Sequence, residues 1–285
     1  MPNEKKKRPT IRLKWWVVPS ISILTLFVVT AIFVDYLAPH SPTQINLANS
    51  LAPPFWQGGT TEYLLGTDLL GRDLLSRILY GARVSLIVSV TAIFAGGLTG
   101  TALGIIAGYR GGWVDIIISR AVDVMLGFPA ILLAMILAVV LGASFLNVIL
   151  IIALILWARY ARQARGETLK VREMDYVTLA RTAGCSDLTI MLRHIMPNVL
   201  NTILVLATLQ VGYVIIVEAS LSFLGCGIPP PAPSWGNMVS DGRGILVSAW
   251  WVSFMPGIAI MLVVLSVNLF GDWLRDRLDP KLRQL

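Results

Sequence analysis

The chain has 285 residues, 56% of them hydrophobic and 14% charged, with a mean hydropathy of +0.74 and a formal net charge of +7. A soluble domain carries about 45–50% apolar and about 25% charged residues, so this composition excludes an ordinary soluble core and requires lipid. The positive balance does not point to nucleic acid, because no basic stripe is interleaved with exposed aromatics.

Lipid offers the backbone no water, so only helices or a closed barrel can span it. Barrel strands would alternate apolar and polar residues, whereas the runs here are continuous and about twenty residues long. The expected fold class is therefore all-α: a polytopic membrane protein with six transmembrane helices.

Residues 1–14 form a basic tail with Lys5, Lys6, Lys7, Arg8, Arg12 and Lys14. The first span is expected at Trp15 to Leu37. Its apolar stretch is longer than the core of a cleaved signal peptide, about 7–15 residues, and no small-x-small site follows, so it reads as an anchor. Residues 38–83 are mixed, with Pro39, Pro42, Pro53 and Pro54, and are assigned outside the cytoplasm. Asp73 to Arg83 places Leu74, Leu75, Ile78 and Leu79 on one face, which predicts a short interfacial helix.

The second span is expected at Val84 to Tyr109. Gly96, Gly100, Gly104 and Gly108 recur every fourth residue, a smooth stripe for close helix packing, with gating as an additional role. The third span, Ile116 to Leu141, carries Arg120 and Asp123 at i,i+3, able to pair on one face. Pro129 should kink it. The fourth, Gly142 to Ala158, is short and rich in Ile and Leu. A polar, basic segment, 159–197, leads to the fifth span, Asn198 to Leu221, which holds Gln210 and Glu218. Residues 222–248 are rich in Pro and Gly; Trp235 and prolines 229–231 and 233 stiffen this outer loop. The sixth span, Ala249 to Trp273, contains Pro256 and Asn268, and a charged tail closes the chain at 274–285.

Six spans put both termini on one side. With the termini cytoplasmic, nineteen of the 23 Lys and Arg lie inside, against Arg72, Arg77, Arg83 and Arg243 outside. The positive-inside rule therefore orients both termini to the cytoplasm. Cys185 and Cys226 then fall on opposite sides and do not pair with each other.

Catalytic constellations are not apparent. The sequence has no G-x-x-x-x-G-K-[ST] phosphate loop, no G-x-S-x-G and no H-E-x-x-H, and its two histidines, His40 and His194, make no zinc-like cluster. The informative stretch is cytoplasmic. Asp175 to Ala183 reads as a short helix, Gly184 breaks it, and Ser186 or Asp187 caps a second short helix to His194. Pro197 marks entry to the fifth span. This helix–turn–helix either folds back on its own chain or docks into a partner's groove.

Tyr176 to Pro197, YVTLARTAGCSDLTIMLRHIMP, resembles the cytoplasmic docking motif of permeases of ATP-binding cassette (ABC) importers: E-A-A, three residues, Gly, nine residues, I-x-L-P. Gly184 and Pro197 stand at the glycine and proline, and Ala180 at the last alanine. Thr178 replaces the glutamate, Leu179 the first alanine, His194 the isoleucine and Met196 the leucine. Leu64 to Leu86, Glu218 to Met238 and Asn268 to Arg283 narrow the resemblance to the dipeptide/oligopeptide branch, which includes nickel-chelate importers.

That resemblance implies a type I importer permease fold and a bacterial plasma-membrane location. It implies a second homologous permease, two cytoplasmic ATP-binding subunits carrying ATP and Mg, and an extracytoplasmic substrate-binding protein. The chain itself would hold no cofactor and would not be an enzyme. Thr178, Leu179, Ala180, Ala183, Gly184, His194 and Pro197 would couple to the ATPase. Arg120, Asp123 and Glu218 are candidates for the pathway or for structural pairing, since charges in lipid must face protein or water. The rival readings are a secondary transporter, which would need coupling-ion sites and commonly internal repeats, and a structural scaffold.

Overall fold

The computed structural model describes residues 16–278, a helical protein. The basic tail of residues 1–14 and residues 279–285 of the closing tail lie outside the described residues. The helices are α1 (Val17–Leu37), α2 (Leu74–Arg110), α3 (Gly112–Gly127), α4 (Ala130–Leu141), α5 (Phe145–Val171), α6 (Asp175–Thr182), α7 (Asp187–Phe223), α8 (Trp235–Gly242) and α9 (Trp251–Leu278). Of these, α1, α2, α5, α7 and α9 are long and apolar enough to cross a membrane, and α3 with α4 forms a sixth, bent pair.

The α2 stripe determines how the bundle is built. A Cβ added at Gly96, Gly100, Gly104 or Gly108 would lie 2.8, 2.2, 2.4 or 3.0 Å from the carbonyl oxygen of Ala153, Trp157, Ala161 or Arg165 of α5. Only glycine lets the two backbones approach this closely. Both series ascend together, so α2 and α5 run parallel. The chain between them must therefore recross the bilayer, and α3–α4 is the segment that does so.

Four boundaries differ from those expected, each for a physical reason. The short interfacial helix at Asp73 to Arg83 is instead the first part of α2, a 37-residue helix about 55 Å long. Asp73 caps it, accepting from Ser76 N at 2.9 Å. Gly81 does not break the helix but makes room for Trp235, whose Cδ1 lies 2.6 Å from where its Cβ would stand. Arg83 is taken up by α1, donating to Ala31 O at 2.8 Å and to Asp35 Oδ2 at 2.9 Å.

The third span is broken outright rather than kinked: Pro129 holds Phe128 extended (φ −85°, ψ 140°), and α3 and α4 meet at 94°. The fourth span does not end at Ala158 but continues as α5 to Val171, because Arg162 and Arg165 find carboxylates on α3 and need no loop. The fifth begins at Asp187, since the second short helix runs on into it. The transition is a π-helical stretch, Ile190–Ile195, in which Met196 N bonds to Met191 O. Pro197, which cannot donate, comes immediately after.

One apolar core joins α2, α5 and α7, with Val88, Ile152, Tyr160, Ile190, Val199 and Val217 buried. A second joins α1, α2, α7, α8 and α9 around Phe27, Leu74, Trp235 and Val263. Residues 38–73 form a strap over the start of α2. Its Thr67 accepts from Ala52 N and its carbonyl from Trp251 Nε1, at 2.8 and 3.3 Å.

Candidate functional site

The hairpin α6–turn–α7 is the candidate site. Helix α6 ends in paired closing bonds, Cys185 N to Ala180 O and Gly184 N to Arg181 O, both 3.1 Å. This closure requires a left-handed residue after the helix, and Gly184 supplies it at φ +82°. Its Cβ position is open, so backbone conformation and not space requires glycine there. Ser186 caps the next helix through Thr189 N, as expected.

The turn folds α6 back on the foot of α7. Val177 is buried with Ile190, Met191 and Ile195, and Ala180 and Cys185 pack against them. Asn198 Nδ2 bridges to the Tyr176 hydroxyl at 3.1 Å and to His194 O at 2.8 Å. Below the glycine stripe, the Tyr109 hydroxyl donates to Asp187 Oδ1, and Arg172 Nη1 donates to Gly108 O, both at 2.8 Å. The foot of the hairpin is thereby tied to α2, and α2 to the end of α5.

Its outer face is free. Thr178, Leu179, Thr182, Ala183 and Gly184 are exposed, as is Pro197. Leu179 is 67% exposed, and Leu188 and Leu192 are 62% and 50% exposed. His194 is half-buried beside the Tyr176 ring.

The polar residues separate. Arg120 and Asp123, expected as candidates for pairing with each other, do not form the pair: α3 packs on α5, and Asp123 accepts from Arg162 Nη2 of α5 at 2.7 Å. Arg120 is exposed. Glu218 is fully buried, accepting from Ser222 Oγ at 2.8 Å, and its second oxygen has no hydrogen-bond partner among the described residues.

Sequence reasoning missed a buried charge cluster at the other end. Asp68 accepts from Leu70 N, Arg72 N and Arg72 Nε at 2.9, 3.0 and 2.7 Å, and from Arg77. Asp241 of α8 faces both arginines, at 3.7 and 3.9 Å. Burial pushes the Asp241 carboxyl above the usual carboxylate range, against the pull of Arg77 and Arg72. The signal was the run GTDLLGRDLLSR, in which Gly66 and Gly71 both adopt positive φ around Asp68. Trp235 Nε1 donates to Ile78 O at 2.9 Å, anchoring the loop of residues 222–248 to α2.

Among solved structures, the chain is similar to one in inward-facing conformations of the MetNI methionine ABC transporter, with TM-score 0.58 and 17% identity over 72% of this chain and 96% of that one. A chain of an amino acid ABC transporter with histidines matches at TM-score 0.54 and 14% identity, over 74% and 95%. The fold is thus that of an ABC importer permease, a polytopic α-helical membrane protein.

In sequence, residues 100–284 match the family described as binding-protein-dependent transport system inner membrane component. Residues 16–54 match the N-terminal transmembrane domain of oligopeptide transport permease C. The chain belongs to this family of binding-protein-dependent inner membrane transport components. Relatives include a dipeptide transport system permease protein of Alkalihalophilus pseudofirmus, 42% identical over 92% of this chain and 84% of the relative. A glutathione transport system permease protein of Escherichia coli is 44% identical over 90% and 84%.

Proposed function

We propose that the chain is a permease subunit of an ABC importer that takes up di- and oligopeptides, working beside a second homologous permease. In this reading two ATP-binding subunits dock from the cytoplasm and hold the ATP and Mg, and an extracytoplasmic binding protein delivers the peptide. The chain contributes no catalytic residues and binds no cofactor. Both termini face the cytoplasm, which the Lys/Arg distribution supports. Relatives named for dipeptide and glutathione transport favour peptides over the nickel-chelate alternative.

The observation that carries the reading is the hairpin: an inner face packed on the foot of α7 and bonded to α2, and an exposed, partly apolar outer face. Thr178, Leu179, Ala183 and Gly184 form the contact to the ATPase, while Ala180, His194 and Pro197 set the hairpin's geometry. Closure of the ATPases on ATP tips the bundle between two states through this contact, a bistable element biased by differential contacts.

The test is purification of the tagged chain in mild detergent, then reconstitution. Recovery of two phosphate-loop ATPases and a second permease, with ATP-dependent uptake of labelled dipeptide in the presence of the binding protein, is expected. A stable chain recovered alone, or uptake that survives ATP depletion, contradicts the reading.

A further inference from the structure

Helix α5 carries three arginines spaced three apart: Arg159, Arg162 and Arg165. Two are neutralised by α3, Arg162 by Asp123 and Arg165 by Asp115. Arg159 turns the other way, toward α7, and among the described residues it has no carboxylate. Its guanidinium carbon lies 4.0 Å from the centroid of the Tyr213 ring, and one N–H reaches Gln210 Oε1 at 3.4 Å. The Tyr213 hydroxyl is buried and has no hydrogen-bond partner among the described residues.

The cluster is deep in the bundle. Arg159 sits about 21 Å along α5 from Phe145 and about 9 Å above Arg165. A cation at such depth marks a pathway or ligand site when no internal anion neutralises it. Arg159 is only partly buried on this chain, so it is not sealed off. The ring holds the cation by its π face. Because Gln210 spends its oxygen on Arg159, its amide N–H groups remain as donors beside the Tyr213 O–H. Guanidinium and amide N–H groups and an unpartnered O–H thus lie in one cluster, donors of the kind that bind a carboxylate.

We propose that Arg159, Gln210 and Tyr213 form a carboxylate-binding site within the membrane on the transport route, and that it takes the C-terminal carboxylate of the transported peptide. The inference rests on the peptide-import reading above. A guanidinium that meets only neutral groups in the resting protein can hold the carboxylate in passing and release it, because no permanent counter-ion competes.

The experiment uses the complete reconstituted importer and two labelled probes, alanyl-alanine and alanyl-alanine amide. Uptake is normalised to the fraction of binding protein loaded with each. The wild type is expected to carry the acid about tenfold faster than the amide, and R159Q to bring that ratio to about one. Y213F, which removes one hydroxyl, is expected to lower the ratio about threefold. An unchanged ratio in R159Q overturns the inference while leaving peptide import intact. So does equal loss of both probes in a fully assembled R159Q complex, the mark of an arginine paired to the second permease. If R159Q does not assemble, an unchanged ratio in Y213F overturns it. An assembled wild type that imports neither probe overturns the peptide reading, and this inference with it.

Discussion

The Tyr109 hydroxyl, in the last turn of α2, donates to Asp187 Oδ1 across 2.8 Å, joining the glycine-striped helix to the first residue of α7. The Arg181 guanidinium lies 5.5 Å from the same ring, so both arms of the hairpin meet at Tyr109. A force applied to the hairpin reaches α2 through this residue, and from α2 it reaches α5 along a backbone contact four glycines long.

Tyr109→Phe keeps the ring and removes the bond. The complex should assemble, but transport per ATP hydrolysed should fall about two- to fivefold, the effect of one lost hydrogen bond. Parallel measurement of uptake and phosphate release in proteoliposomes checks this.

Glycines on α2 should differ sharply in tolerance. A methyl at Gly100 would lie 2.2 Å from Trp157 O, and helix backbones cannot yield that much without separating. Overpacking of this kind costs about 1–3 kcal/mol or more, so Gly100→Ala should lower the unfolding temperature in detergent. Gly97, whose Cβ would meet the Tyr160 ring at an ordinary 3.5 Å, serves as the comparison: Gly97→Ala should change stability little.

Asp68 and Arg77 are 1% and 3% exposed and pair with each other, Asp68 also holding Arg72 and Arg77 also facing Asp241. Removing one partner of a buried pair costs about 3–5 kcal/mol. Asp68→Ala or Arg77→Ala alone should open the strap of residues 38–73 to protease, whereas the double variant should be milder than the two single effects combined. Limited proteolysis of the purified protein in detergent reads the difference.

Much of the hairpin was legible in the sequence because its signals are local. Gly184 has to end α6, Ser186 has to cap the helix after the turn, and four glycines at every fourth residue have to face a close neighbour. Helix ends were less legible, because polarity was read as a boundary. The arginines of α5 stay helical because α3 supplies their carboxylates, and the first turns of α2 stay helical because Arg83 and Trp235 are satisfied by α1 and by α2's own carbonyl. Asp123 illustrates the same limit: spacing offered Arg120, but tertiary packing brought Arg162 nearer. By polarity alone Arg159 opens a loop, and only the continuation of α5 to Val171 puts it inside the bundle.

The central claim, that the outer face of α6 docks on an ATPase, is tested most directly by cysteine accessibility. In a background with Cys185 and Cys226 replaced by serine, Leu179→Cys should react fast with a maleimide in the permeases alone. It should be shielded, and cross-link to the ATP-binding subunit, once that subunit is added. Reaction of Leu179→Cys at the same rate with and without the ATP-binding subunit, and no cross-link, would contradict the account.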